Sequence, residues 1–267
     1  MNADADNIIG IIGGMGPQAG VSLLNEIIAQ TKSLNDQGHL SSILISLPKH
    51  IQDRTRFLEG EVAENPAFAI VEIIVRVESI GAKTIGIACN TCHVPIIYQT
   101  ITRLLIQNKS KVKLLNMPHE VLKYLRQQFP GAKKIGIMAT NGTYKFGLYQ
   151  NLLLSNGFNP VVPDTIFQST VIHELIYNPQ FGIKSNPDVI THKAYQLINK
   201  AFSFFEQEKV DVVILACTEL SLIPVLGLDL PFTILDSSKI MAGALIREAT
   251  RAEDNEKNFV KVKSNYK

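Results

Sequence analysis

TIGIACNTCH, residues 84–93, reads as a short apolar strand that runs straight into a cysteine. Thr84–Ala88 carries no charge, and Cys89 follows it at once, trailed by the polar pair Asn90-Thr91. VDVVILACTEL, residues 210–220, repeats the plan: strand Val210–Ala216 leads into Cys217 and then Thr218-Glu219. Ile8–Ile12, Ile43–Leu47 and Val112–Leu115 are further strand candidates in the first half. Lys134–Met138 and Pro160–Val162 are their counterparts in the second, with Phe232–Leu235 near the end. Such near-continuous Ile/Val/Leu runs mark strands covered on both faces, hence parallel sheets flanked by helices.

The helix before Cys89 can be read residue by residue. Asn65 suits an N-cap and Pro66 a first helical position, where no amide donor is needed. Ile70, Ile73, Ile74, Val77 and Ile80 keep helical spacing, and Gly81 supplies a stop. Before Cys217 the same order predicts a helix opening at Asn186-Pro187 and carrying Ile190, Ala194, Leu197, Ile198 and Phe202. The opening strand IIGIIGGMG also resembles KKIGIMATNGT. Gly10 and Gly136 are offset by 126 residues, and Cys89 and Cys217 by 128. The Asn-Pro marks are offset by 121, so the second helix is expected to be longer or its loop wider. The repeated cysteine makes internal duplication a better account than chance.

The 267 residues suit two domains of ordinary size, and 46% hydrophobic with 19% charged residues fits a globular protein with a proper core. A net charge of +2 argues against nucleic acid or a membrane surface as the main partner. Lys257, Lys261, Lys263 and Lys267 gather in a polar stretch from Arg251 onward, which reads as a frayed, flexible tail over 251–267. Charges such as Glu72, Arg76 and Glu219 break every apolar run before it could span a bilayer. The acidic start MNADADN does not look like a secretory signal, so a cytoplasmic location with reduced thiols is expected for the three cysteines.

Cys89 and Cys217 both fall at carboxyl ends of strands, where open α/β sheets bind ligands. Each precedes a predicted helix, His93–Leu105 and Glu219 onward, and a helix N-terminus favours a thiolate. A single buried cysteine is often only a small hydrophobe; two at matched positions point to chemistry. Other motifs compete. Cys89-Asn-Thr-Cys92-His93 spells a haem-attachment pattern and contains Cys-x-x-Cys, yet a redox pair would leave Cys217 unexplained. Zinc could use Cys89, Cys92 and His93, but no second ligand pair stands out. Cys92 is read as a packed residue, and His93 as a core or helix-terminal histidine as readily as a functional one. Gly14-x-Gly16-x-x-Ala19 fits the dinucleotide fingerprint formally, but the next strand ends ISLPKH, without the required acid. That loop can instead bring backbone amides to a carboxylate.

GIIGGMGPQAG at residues 10–20, CNTCH at 89–93 and ACTEL at 216–220 together resemble the aspartate/glutamate racemase superfamily. The resemblance runs in order along nearly the whole chain except the tail. Glutamate racemases usually carry Cys-Thr-His in the second half; Cys217-Thr218-Glu219 favours the aspartate branch. The family usually has alanine where Cys92 stands.

The resemblance implies two pseudo-symmetric three-layer α/β domains with mainly parallel sheets and an active site between them. The first is expected over 1–117 and the second over 118–228, with residues 229–250 returning to complete the first. It also implies a homodimer and no metal or pyridoxal cofactor. Cys89 and Cys217 would exchange the Cα proton of a small acidic amino acid from opposite faces. Asn90, Thr91 and Thr218 would contact its backbone atoms, with Thr140 and Thr143 as further hydroxyl donors. Arg54, in the Asp-Arg-Thr segment, and Lys184 would grip its carboxylates. Capping, turn and solvated-surface roles compete for these residues.

Overall fold

The computed structural model describes residues 7–223 and 229–264, with side chains as far as Arg251. Two four-stranded parallel sheets form its frame. The first holds β1 (Ile8–Gly13), β2 (Ser42–Ser46), β3 (Ala82–Ile87) and β4 (Lys113–Leu114) in the order β2-β1-β3-β4. The second holds β5 (Lys134–Ala139), β6 (Asn159–Val161), β7 (Val212–Ala216) and β8 (Thr233–Asp236) in the order β6-β5-β7-β8. The two orders are the same, which is the duplication expected from the sequence. In each half the opening strand pairs with the cysteine-bearing one, Ile11 beside Gly86 and Ile137 beside Ile214.

Helices cover both faces of both sheets. On the first, α3 (Ala67–Ser79) and α4 (Pro95–Gln107) bury Ile70, Ile74, Val77, Ile97 and Ile101 against one face. Its other face meets α1 (Pro17–Gln30) and α11 (Ser237–Ser264) through Leu23, Ile27, Leu245 and Ala249. On the second sheet α10 (His192–Gln207) covers one face with Leu197, Ile198, Phe202 and Phe205. Helices α5 (Met117–Gln128) and α7 (Leu148–Leu154) cover the other with Val121, Leu125, Tyr149 and Leu153. Short helices α2 (Arg54–Leu58) and α6 (Asn141–Lys145) sit on the loops after β2 and β5. A helical segment follows β6: α8 (Thr165–Phe167), a π-helical stretch Gln168–His173, and α9 (Glu174–Tyr177).

Strand alternation decides where the cysteines point. Ile85, Ile87 and Cys89 share the face under α3, while Val213, Leu215 and Cys217 share the face under α10. The two thiols therefore occupy equivalent places in the two halves.

Three local expectations change. Helix α10 opens at His192 and not at Asn186-Pro187, because the Thr191 hydroxyl caps it by accepting from Ala194 N at 3.1 Å. The Asn186 amide is used instead to close its own loop, donating to the carbonyls of Gln180 and Gly182. Each cysteine is followed by a 3₁₀ turn, Thr91–His93 or Thr218–Leu222, before any α-helix. Both turns stop at a residue before proline, Val94 or Ile223, where helical backbone is sterically disfavoured. The last segment divides: β8 joins the second sheet beside β7, and only α11 packs on the first half. Its backbone continues past Arg251 to Ser264, into the stretch read as a tail.

Candidate active site

The carboxyl ends of β3 and β7 meet. The Thr218 hydroxyl, in the turn after β7, donates to the carbonyl of Ala88 at 3.2 Å, at the end of β3. Cys89 and Cys217 flank that contact and are 5% and 4% exposed. Both are therefore shielded from bulk solvent, and in that low-dielectric setting a neighbouring charge acts strongly.

A network of charges surrounds them. Glu219 is buried, and its Oε1 accepts from Gly16 N at 2.7 Å and from Lys184 Nζ. Its Oε2 accepts from Cys217 Sγ at 3.0 Å. Lys184 Nζ also donates to the Met15 carbonyl at 3.1 Å and lies over the Tyr177 ring, 5.2 Å from its centre. Arg54, buried at the start of α2, donates from Nη2 to the same Met15 carbonyl at 2.9 Å and from Nη1 to Gln52 O at 3.1 Å. Two cations thus converge on one backbone oxygen. The Arg54 Nε is buried with no partner, an unsatisfied donor of the kind that functional sites retain. Gly16 leaves room for this contact: a Cβ there would stand 3.3 Å from Glu219 Oε1, a tight approach.

Hydroxyls line the next layer. Thr91 Oγ1 lies 3.1 Å from Thr140 Oγ1 and 3.0 Å from Thr143 Oγ1, so the first turn of one half meets the opening loop of the other. Asn90 is tied on both ends: its Nδ2 donates to Ser237 Oγ at 2.9 Å, and its Oδ1 accepts from the Tyr149 hydroxyl at 2.6 Å. Tyr177 donates to Asp53 Oδ2 at 3.1 Å, linking Lys184's neighbourhood to the residue before Arg54.

The two thiols consequently differ. A hydrogen bond from Cys92, aided by Arg54 and Lys184 and opposed by burial, brings the Cys89 pKa down to about 6. Burial and the adjacent Glu219 carboxylate push the Cys217 thiol well above its ordinary value, with Lys184 opposing. Glu219 itself is penalised by burial, but Lys184, the Cys217 thiol and the Gly16 amide hold it below the usual carboxylate range. The surroundings thus lower the proton affinity of one cysteine and raise that of the other.

Residues 12–245 match the family described as Asp/Glu/Hydantoin racemase. The chain belongs to this family. An aspartate racemase of Picrophilus torridus superposes with a TM-score of 0.75 at 31% identity, covering 91% of this chain and 94% of that one. The broad specificity amino-acid racemase RacX of Bacillus subtilis (strain 168) is 26% identical over 245 residues, 90% of this chain and 96% of its own length. A glutamate racemase isoform, RacE1 of Bacillus anthracis, shares the fold with a TM-score of 0.63 at 19% identity, covering 92% and 82% of the two chains.

Within this racemase fold the residues singled out from the sequence fall into one region. Arg54 and Lys184 meet at Met15 O; Thr91, Thr140 and Thr143 cluster; Thr218 bridges to Ala88. Asn90 is beside Cys89 in sequence, but its side chain is committed to Ser237 and Tyr149. His93 turns away from the thiols, with Nδ1 on the Cys89 carbonyl and Nε2 accepting from Met117 N. Among the described residues no group of three His, Cys, Asp or Glu side chains could hold a metal, and no helix is long and apolar enough to cross a membrane. Glu219 has no assigned role in the sequence reading, and its one local signal is an acid in the turn directly after an apolar strand. The Met15 carbonyl had no sequence signal at all. A cleft of about 540 Å³ between α1, α5 and α11 lies elsewhere, and its Lys123, Arg247 and Lys239 already pair with Glu120 or Glu26.

Proposed function

We propose that this racemase-family protein interconverts L- and D-aspartate without a cofactor, using Cys89 and Cys217 as two bases. The observation that carries the reading is the opposed setting of the thiols at equivalent ends of duplicated strands. Racemisation needs a base on one face of Cα and an acid on the other, at the same moment. Cys89, beside Arg54 and Lys184, is the resting base. Cys217, hydrogen-bonded to Glu219, is the resting acid. In one direction the Cys89 thiolate removes the Cα proton and the Cys217 thiol returns its own to the opposite face. The other enantiomer is met by the reverse pair.

Arg54 and Lys184 are the carboxylate-binding groups in this reading, since both already converge on one oxygen acceptor. Their charge also favours the carbanionic intermediate. Thr91, Thr140, Thr143 and Thr218 supply hydroxyls to the substrate backbone, and Asn90 holds the turn that carries Thr91. Two cations suit a dicarboxylic substrate, and the name of the Picrophilus relative agrees. The RacX name favours a second reading, a wider range of amino acids. We further read the protein as a cytoplasmic homodimer, from its three free cysteines and the family resemblance.

Incubation in deuterated water tests the reading, with L- and D-aspartate first and then glutamate and neutral amino acids. Deuterium at Cα with loss of optical activity is expected for aspartate. Equal rates for neutral amino acids would favour the wider range. Binding without exchange of any amino acid would leave a carboxylate-binding protein and remove the enzyme.

A further inference from the structure

Three buried polar side chains link the turn after β3 to the second sheet. Tyr149 on α7, Asn90 directly after Cys89, and Ser237 at the start of α11 are all buried. The Tyr149 hydroxyl donates to Asn90 Oδ1 at 2.6 Å, and Asn90 Nδ2 donates to Ser237 Oγ at 2.9 Å. Ser237 Oγ in turn donates to the Leu215 carbonyl, in β7, at 2.7 Å. The direction of this chain is forced from its far end. A carbonyl only accepts, so it takes the one hydrogen of Ser237, whose Oγ must then accept from Asn90. That sets Nδ2 towards Ser237 and Oδ1 towards Tyr149, whose hydroxyl must donate. Burial pushes the Tyr149 phenol up, so it keeps that hydrogen. The chain also has a counterpart. Asn90, next after Cys89, is anchored through Ser237 on Leu215, two residues before Cys217. Thr218, next after Cys217, is anchored on Ala88, one residue before Cys89.

We propose that Tyr149 and Ser237 are positioning residues for the two thiols: with Asn90 they form a one-way chain of hydrogen bonds that holds the Cys89 turn against the strand carrying Cys217. The inference rests on the reading of Cys89 and Cys217 as the two bases. Proton transfer at opposite faces of one carbon needs both groups held at a fixed separation, and small misplacements are costly in rate. The Thr218 bond to Ala88 is one tie between the two turns. The chain through Asn90 is a second, and it removes the freedom to pivot about the first. No link can be reversed to repair a break. Without the Tyr149 hydroxyl, Asn90 Oδ1 is left buried without its donor; without Ser237, both Asn90 Nδ2 and the Leu215 carbonyl lose a partner. The neighbouring Ser238 supplies a control. It is equally buried at the start of the same helix, yet its Oγ has no hydrogen-bond partner among the described residues.

The test uses the full-length protein, with rates taken per folded molecule. Tyr149→Phe removes one oxygen and keeps the buried ring; Ser237→Ala removes the middle hydroxyl. Each should lower kcat for aspartate by about 10- to 100-fold and leave KM within about threefold, since the thiols and not the substrate contacts are displaced. Ser237→Thr keeps the hydroxyl and should retain more of kcat than Ser237→Ala. Ser238→Ala should match the wild type. A stability cycle gives a readout without turnover. Tyr149→Phe and Ser237→Ala should each lower the thermal midpoint by about 2–6 °C. The double variant should lose less than the sum, because the two hydroxyls act on opposite ends of one amide. Wild-type kcat in either single variant would overturn the proposal. So would a rise in KM with kcat unchanged, Ser238→Ala falling as far as Ser237→Ala, or strictly additive losses of stability. A coupled cycle in a wild-type protein that does not racemise would fault the racemase reading alone. Racemisation with an additive cycle would fault this one.

Discussion

Replacing Glu219 by Gln separates the charge at the centre of the site from its shape. The amide keeps an oxygen for Gly16 N, now at 2.7 Å, but it loses the charge that pairs with Lys184 and accepts the Cys217 hydrogen. The Lys184 and Glu219 side chains are 17% and 4% exposed, so water cannot take over the lost role. Breaking a buried pair from one side costs about 3–5 kcal/mol. The surviving Gly16 bond, and Lys184's contacts to Met15 O and Tyr177, place the loss near about 3 kcal/mol. For a chain of 267 residues that lowers the thermal midpoint by about 5 °C, measurable by calorimetry at pH 7. Adding Lys184→Met removes the stranded cation, so the double variant should recover at least half of the loss. The folded pKa of Glu219 is held down, so its contribution is complete above the ordinary carboxylate range and disappears as pH falls through the folded value. The gap between wild type and Glu219→Gln should therefore narrow in acid. Cys217 also loses the carboxylate that holds its proton, while Lys184 still favours the thiolate, so its alkylation should quicken at any given pH. An unchanged melting point, strictly additive single losses, or Cys217 alkylation no faster than wild type would refute the role given to the pair.

Cys89→Ser and Cys217→Ser should each lower racemisation by about 10²–10⁴-fold, as loss of a general acid or base does; full activity in either, by polarimetry, would exclude two-thiol chemistry. Arg54→Lys keeps the charge but not the planar fork that meets Met15 O and Gln52 O. KM for aspartate should rise about tenfold or more with a smaller change in kcat, from the loss of one charged hydrogen bond. Burial holds His93 down to about 4, despite its bond to the Cys89 carbonyl. The unfolded chain then binds the extra proton first, so stability should fall by about 3 kcal/mol as pH drops from about 6.5 to about 4. Urea unfolding across that range should show the loss in wild type and a smaller one in His93→Gln.

Much of the fold was legible because the signals are local. The apolar runs at Ile8–Gly13, Ala82–Ile87, Lys134–Ala139 and Val212–Ala216 are buried strands whichever sheet they join. The helix before Cys89 was readable from its Asn65 cap, whose Oδ1 accepts from Ala67 N at 2.9 Å. The same dipeptide misled at Asn186, where a loop claimed the side chain and Thr191 took the cap. Nothing local distinguishes those two uses of asparagine. The final strand was misassigned for a related reason: Thr233–Asp236 is apolar enough for either sheet, and only its pairing with β7 places it in the second.

The sequence by itself determined the duplicated α/β plan and the matched thiols, because strand burial and alternation act over a few residues. Tertiary structure alone decided how those thiols differ. Glu219 beside Cys217 is a neighbour in the chain, but its charge is balanced by Lys184, 35 residues away, and by the Gly16 amide, 203 residues away. Cys89 gains Arg54 from another loop, and the Met15 carbonyl gathers both cations. A thiol's proton affinity is the sum of charges and hydrogen bonds over all directions in space, and most of those directions are filled by residues remote in sequence.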